Sequence, residues 1–193
     1  MRQEITTRAI ILARHAAGEG SARVTLYTED LGLVTALATS AREERSKLRA
    51  HLVVGTIGSY SLVKGKRDWR VIGAVRTNNI FYKCERSDQR GSGARIIAMV
   101  RQFVHGEEAD ENLYTALSEF FTALPTLTSR DVVIAEYVAA LNILAALGYV
   151  SPEPVKEYLG AQYSAALLAD AAQKKHTLVK AINDGISASG LMS

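Results

Sequence analysis

Residues 22–38 read ARVTLYTEDLGLVTALA, and this stretch decides the predicted fold. Val24 and Leu26 fall on one face of the first run, whereas Arg23, Thr25 and Tyr27 fall on the other, which is the period of a β-strand. Residues 29–32 then supply turn residues, and residues 33–38 form a second apolar run. The stretch therefore predicts a β-hairpin.

Three more strands are predicted on either side of this hairpin. Residues 6–16 alternate in the same way and lead into the turn Gly18-Glu19-Gly20. Residues 52–63 form a fourth run that contains Gly55 and Gly58, and residues 69–75 form a fifth after the turn at 64–68. Five short strands favour a small closed barrel, because closure removes the exposed edges of a sheet.

The remainder of the chain has the period of helices. Helices are predicted from residue 94 to Gly106, over 111–124 and over 130–147, with weaker helices at 161–173 and 176–187. Residues 77–93 are polar and rich in glycine toward their end, so we predict a loop or linker there. The predicted fold class is thus α+β, with a barrel domain at 1–76 and an all-α domain at 94–193.

The composition is that of a folded globular protein. The chain has 193 residues, 48% hydrophobic and 22% charged, which excludes wholesale disorder. No apolar run approaches the roughly 18 residues that a membrane span requires, and we expect a cytoplasmic location. Cys84 is the only cysteine, so intramolecular disulfides and cysteine-based zinc sites are excluded.

The positive charge is concentrated in the first part of the chain. The formal net charge is +3, but residues 1–76 carry +6 and residues 77–193 carry −3. A basic front segment is what binding to phosphates requires.

The sequence contains no pattern typical of catalysis. The four histidines, His15, His51, His105 and His176, lack metal-ligand spacing. The glycines at 18 and 20 do not continue into a phosphate-binding GxGxxG motif, because Arg23 occupies the third glycine position. We therefore predict a protein that is not an enzyme, with no cofactor and no metal.

Basic residues cluster on two loops of the predicted barrel, one after the third strand and one between the fourth and fifth strands. Barrels that bind single strands combine such a groove with aromatic rings on which bases stack. Tyr27 is the stacking candidate, although core packing is an equally open interpretation for it and also for Trp69. The candidate DNA-binding residues are Arg14, Arg23, Tyr27, Arg42, Arg45, Lys47, Arg49, Lys64, Lys66, Arg67 and Arg70.

These residues also carry a resemblance to a known family. The order AIILAR at 9–14, TLYTEDLGLV at 25–34, SKLR at 46–49 and Lys64-Gly65-Lys66 with Trp69-Arg70 resembles the N-terminal domain of the bacterial recombination mediator RecO. More loosely, LNILAALGYV at 141–150 is similar to the helix that precedes the family's zinc-binding segment.

The resemblance implies an OB-fold barrel followed by a helical domain. It also implies binding to single- and double-stranded DNA, annealing of complementary strands, and help in loading RecA with RecR on DNA coated by single-stranded-DNA-binding protein. Association with the nucleoid follows from the same role. Many relatives carry four zinc-binding cysteines, but residues 151–163 contain none, which places partner binding in doubt more than DNA binding.

Two alternatives remain open. The barrel could serve a protein-interaction adaptor with weak or no DNA binding. It could also be an RNA-binding OB module unrelated to RecO.

Overall fold

The computed structural model describes residues 4–43, 45–66, 68–153 and 155–190. The chain forms two compact units. The first contains the described residues up to Phe81 together with His105–Asp110, and the second contains Tyr82–Val104 and the described residues from Glu111 onward.

The first unit is a five-stranded closed barrel with the strand order β1-β2-β3-β5-β4. The strands are β1 (Glu4–Ala17), β2 (Ser21–Thr28), β3 (Gly32–Ala38), β4 (Thr56–Lys64) and β5 (Trp69–Asn79). Neighbouring strands are antiparallel except β3 and β5, which close the ring through two parallel pairs, Ala36 with Trp69 and Leu37 with Arg70. The predicted α+β fold class, a barrel followed by helices, is confirmed.

The β2–β3 hairpin forms where the sequence predicts it. The Thr28 hydroxyl accepts a hydrogen bond from the Leu31 amide at 2.9 Å and donates one to the Gly32 carbonyl at 3.0 Å. Gly32 has a φ of +67°, a conformation in which a side chain is strained. Local turn chemistry thus determines the hairpin.

The inward faces of all five strands fill the barrel with apolar side chains. Val24 and Leu26 are fully buried, as their alternation with polar neighbours predicts. Tyr60 also points inward, and its hydroxyl donates to the His51 carbonyl at 2.8 Å. The buried cluster comprises Ala9, Ile11, Ala22, Val24, Leu26, Val34, Ala36, Ala38, Ala41, Leu52, Tyr60, Leu62, Trp69 and Val71.

The second unit is helical and is organised around its fourth helix. The helices of the chain are α1 (Ile80–Lys83), α2 (Ser87–Phe103), α3 (Glu111–Ala123), α4 (Ser129–Ala146), α5 (Ala165–Gln173) and α6 (Lys175–Ser189). Helix α4 packs against α2, α3, α5 and α6. Its N-terminus is capped by the Thr128 hydroxyl, which accepts from the Asp131 amide at 3.3 Å.

Two local predictions were wrong. Residues 77–93 are not a loop, because β5 continues to Asn79 and α1 and the first turns of α2 follow. The glycines that suggested a loop lie inside α2, where Gly93 is buried. The fourth strand begins at Thr56 rather than at residue 52, because Gly55 has a φ of +80° and turns the chain there.

Candidate nucleic-acid interface

Strand register places two predicted arginines on neighbouring strands of the barrel. Arg23 of β2 lies opposite Leu37 of β3, and Leu37 lies opposite Arg70 of β5. Residues directly opposite one another share a face of a sheet, and both arginines are exposed. Arg23 and Arg70 therefore lie on the outer face of the barrel, with Leu37 between them and about 10 Å separating their Cα atoms.

The loop after β3 is fixed against the turn between β1 and β2. The Arg42 guanidinium donates to the Gly18 carbonyl at 2.9 Å, and the Arg42 amide donates to the Gly20 carbonyl at 2.9 Å. Arg14 donates to the Ala41 carbonyl at 3.2 Å. Backbone carbonyls do not neutralise a guanidinium, so Arg14 and Arg42 position the loop and keep their charge.

Three further cations follow Arg42 along the same loop. The side chains of Arg45, Lys47 and Arg49 are exposed. None of them has a carboxylate partner among the residues that the structure describes. Their charges are thus available to an anionic ligand.

The β4–β5 loop contributes two lysines that differ in whether they form an ion pair. Lys66 is exposed and has no ion-pair partner in the described part of the chain. Lys64 instead contacts the Glu107 carboxylate, with Nζ and Oε2 2.5 Å apart, and lies 4.7 Å from the centre of the Trp69 ring. Arg67 lies outside the described residues.

The same loop reaches the start of β2. Asp68 lies 3.9 Å from Arg23, and both side chains are about half exposed (52% and 50%). An ion pair this open is worth little, so Arg23 keeps most of its attraction for an anion. We call the residues Arg23, Arg42, Arg45, Lys47, Arg49, Lys66 and Arg70 the basic surface.

The aromatic residues on the five strands of the barrel have no free ring face for a base. Tyr27 and Tyr60 are fully buried, and Trp69 is only 5% exposed. The predicted stacking role of Tyr27 is therefore wrong. Tyr27 does lie on the outer side of β2, but its hydroxyl donates to the Asp110 carbonyl at 3.5 Å, and burial raises the pKa of that hydroxyl.

The residues that cover this face were not predicted from the sequence. We call His105–Asp110, which belongs to the barrel unit, the acidic strap. The Leu33 amide of β3 donates to its Gly106 carbonyl at 3.2 Å, and Lys64 lowers the pKa of Glu107. The available signal was the polar sequence GEEAD at 106–110 between two apolar helices, which by itself indicates only a solvated loop.

Sequence reasoning also missed an apolar feature on the outer side of β5. Ile72 and Val75 are 51% and 68% exposed, and the exposed Arg70 lies on the same strand. Ile72 alternates outward with the buried Trp69 and Val71. The register between β4 and β5 then shifts between Ser61 and Leu62, and the extra residue moves Val75 to the outer side, which strict alternation from Trp69 did not indicate.

In the second unit, side-chain hydrogen bonds hold the segment that lacks cysteines. The buried Asn142 amide donates to the Tyr158 carbonyl at 2.9 Å and accepts from the Gly160 amide at 2.8 Å. The Tyr158 hydroxyl donates to Asp170 at 2.5 Å, and Lys174 bridges Asp170 and Glu157. No group of three or more His, Cys, Asp or Glu residues capable of holding a metal occurs among the described residues.

Residues 1–81 match the family Recombination protein O N terminal. The resemblance to RecO inferred from the sequence is confirmed.

Curated relatives extend the RecO match beyond the barrel. DNA repair protein RecO of Dehalococcoides mccartyi is 30% identical over 129 residues, which cover 66% of this chain and 51% of that one. The RecO of a second strain is 27% identical over 147 residues, covering 76% and 57%. That of Chlorobium phaeobacteroides is 24% identical over 149 residues, covering 75% and 56%. The chain thus spans about half the length of the RecO proteins it matches.

The likeness to one solved structure is weak. The aspartyl tRNA synthetase from Entamoeba histolytica aligns with a TM-score of 0.26 and 14% identity, over 80% of this chain and 37% of that one. Within the described residues, no helix combines the length and the apolar character needed to cross a membrane.

Proposed function

We propose that this chain is a RecO-like recombination mediator in DNA repair that binds single- and double-stranded DNA through its basic surface. The observation that carries the proposal is a group of exposed cations without carboxylate partners in the described chain, among them Arg45, Lys47, Arg49 and Lys66, on a barrel that matches the RecO N-terminal family. The relatives named DNA repair protein RecO support the biological role.

Binding in this proposal occurs through phosphates rather than through bases. The basic surface provides guanidinium and ammonium groups, which pair with phosphate oxygens. The buried rings of Tyr27, Tyr60 and Trp69 provide no stacking platform. Because phosphates are common to both forms of DNA, single strands and duplexes should both bind, and base sequence should matter little.

The proposed mechanism of annealing is electrostatic. Two DNA strands repel each other through their phosphates, and a surface of fixed positive charge lowers that repulsion when both strands are held near it. Base pairing then proceeds without any covalent step. The proposed activity therefore involves no enzymatic turnover and requires no cofactor or metal. Help in loading RecA together with RecR, and contact with single-stranded-DNA-binding protein, belong to the same proposal by resemblance to RecO.

The experiment that tests this proposal follows pairing of two complementary labelled oligonucleotides by energy transfer. The annealing rate should rise when the protein is added at low salt. It should fall back toward the rate measured without protein as salt screens the basic surface. A labelled RNA strand tests the alternative of an RNA-binding OB module. An annealing rate that the protein leaves unchanged, together with preferential binding of RNA, would contradict the proposal.

A second candidate function is that of a protein-interaction adaptor. It is favoured by Ile72 and Val75, which expose apolar area on β5, since such side chains often mark protein contacts. An Ile72→Ser, Val75→Ser double variant separates the two functions. The variant should retain DNA binding if the basic surface is the ligand site, and it should lose partner binding if β5 is an interface.

A further inference from the structure

The acidic strap closes an opening that the barrel strands leave between them. Strands β3 and β5 pair only at Ala36 and Leu37 of β3, so the first part of β3 has no β5 partner. The Leu33 amide there donates to the strap carbonyl of Gly106 at 3.2 Å. The strap therefore takes the position of an added chain along β3.

The backbone of the strap is also held closely at its middle and at its last residue. A Cβ atom added to Gly32 would lie only 2.1 Å from the Glu108 carbonyl oxygen, so the two backbones are in direct contact. Further along, the Asp110 carbonyl accepts from Tyr27 at 3.5 Å. These contacts use backbone atoms of the strap. The carboxylate side chains of the strap are therefore not required for these contacts with the barrel.

One strap carboxylate neutralises a cation that borders the basic surface. Glu107 Oε2 lies 2.5 Å from Lys64 Nζ, and Lys64 is only two residues from Lys66. Both side chains are about half exposed (45% and 46%). A carboxylate in this position presents the same chemistry to Lys64 as a phosphate oxygen would.

We propose that Glu107 occupies a phosphate position of the nucleic-acid site, so that bound DNA displaces its carboxylate from Lys64. This inference rests on the proposed function, and it assigns to Lys64 a contact that exists only after displacement. The exchange is confined to side chains, because the strap backbone stays bound to β3. Glu107 thus lowers the affinity for DNA, because a ligand must displace the Glu107 carboxylate before it can contact Lys64.

The test measures binding of a fluorescent single-stranded oligonucleotide of mixed sequence at several salt concentrations. Glu107→Gln should bind about threefold more tightly at low salt, since exposed ion pairs are weak. Its plot of log affinity against log salt should have nearly the wild-type slope, because Lys64 contacts one phosphate in both complexes once Glu107 is displaced or absent.

A matched control separates this effect from a change in net charge. Glu108→Gln removes the same charge from the neighbouring strap residue, whose side chain has no ion pair within the described chain, and it should behave as wild type. Lys64→Ala should weaken binding more in the Glu107→Gln background than in the wild type, because only there is Lys64 free.

Each pattern of results decides the proposal. If the wild type binds and Glu107→Gln matches it, or if Glu108→Gln gives the same gain as Glu107→Gln, the displacement proposal is overturned and DNA binding stands. If neither wild type nor Glu107→Gln binds at low salt, both proposals fail. A gain confined to Glu107→Gln, with the stated dependence on Lys64, supports displacement.

Discussion

The Arg42 guanidinium donates a hydrogen bond to the Gly18 carbonyl oxygen at 2.9 Å, which joins the loop after β3 to the β1–β2 turn. Because the acceptor is a carbonyl, the bond fixes the position of the charge without cancelling it. The cations that follow along the loop are thus attached to a defined part of the barrel.

Removing the free cations of this loop should weaken DNA binding. In an Arg45→Ala, Lys47→Ala, Arg49→Ala variant, the salt slope for duplex DNA should fall by up to about 2.7, at 0.9 for each phosphate that is no longer bound. Fluorescence anisotropy across a salt series measures this. An Arg101→Ala, Lys156→Ala, Lys180→Ala variant removes three exposed cations from the helical unit and serves as the control. Equal reductions in both variants would move the site away from the loop.

Tyr27→Phe should leave DNA binding unchanged within about twofold. The Tyr27 ring is fully buried, and its hydroxyl donates to the Asp110 carbonyl at 3.5 Å. Tyr27→Ala should instead destabilise the barrel by about 3–5 kcal/mol, as expected for deleting a buried aromatic ring. Urea unfolding and DNA titration of the two variants check this. A tenfold loss of affinity in a normally stable Tyr27→Phe protein would show that the hydroxyl contacts DNA.

Tyr27 also shows how far the sequence determines the barrel. The period-two pattern correctly placed Tyr27 on the outer side of β2, and the turn residues correctly located the hairpin, because both signals are local. The residues that cover Tyr27 are about 80 positions further along the chain. Nothing in the local pattern of either segment indicates that pairing, so the burial of Tyr27 could be known only from the structure.

The exposure of the basic loops, unlike the burial of Tyr27, was predictable because it does not depend on distant residues. Loop cations such as Lys47 and Lys66 are exposed wherever the loop runs, so composition alone identified them as available charge. Whether a given cation is already paired depends on distant residues. Lys64 therefore belonged to the predicted site without any sign of its partner Glu107.

Two glycines with similar backbone conformations should respond differently to alanine. Gly18 and Gly32 have φ values of +75° and +67°. An added Cβ at Gly18 meets nothing within 4 Å, whereas at Gly32 it meets the Glu108 carbonyl at 2.1 Å. Gly18→Ala should cost about 1–2 kcal/mol from backbone strain alone.

Gly32→Ala should cost clearly more, because the strap must also move. Thermal unfolding of the two variants gives the comparison. Equal stabilities would mean that the strap contact at Gly32 is not maintained in solution.

Asn142→Ala should destabilise the helical unit by about 2–3 kcal/mol. The substitution leaves the buried Tyr158 carbonyl and the Gly160 amide without their partner on α4, and buried unsatisfied groups are costly. Asn183→Ala, at an exposed position of α6, should change stability by less than about 0.5 kcal/mol. Chemical denaturation followed by circular dichroism distinguishes them. A neutral Asn142→Ala would mean that the cysteine-free segment is held by other contacts.

The most direct test of the central claim is the salt dependence of wild-type binding to labelled single-stranded and duplex DNA. The account predicts that both forms bind at low salt and that log affinity falls linearly with log salt. The duplex slope should correspond to several phosphate contacts, at about −0.9 for each. Absence of binding at low salt, or an affinity that does not change with salt, would contradict the claim that the basic surface holds nucleic-acid phosphates.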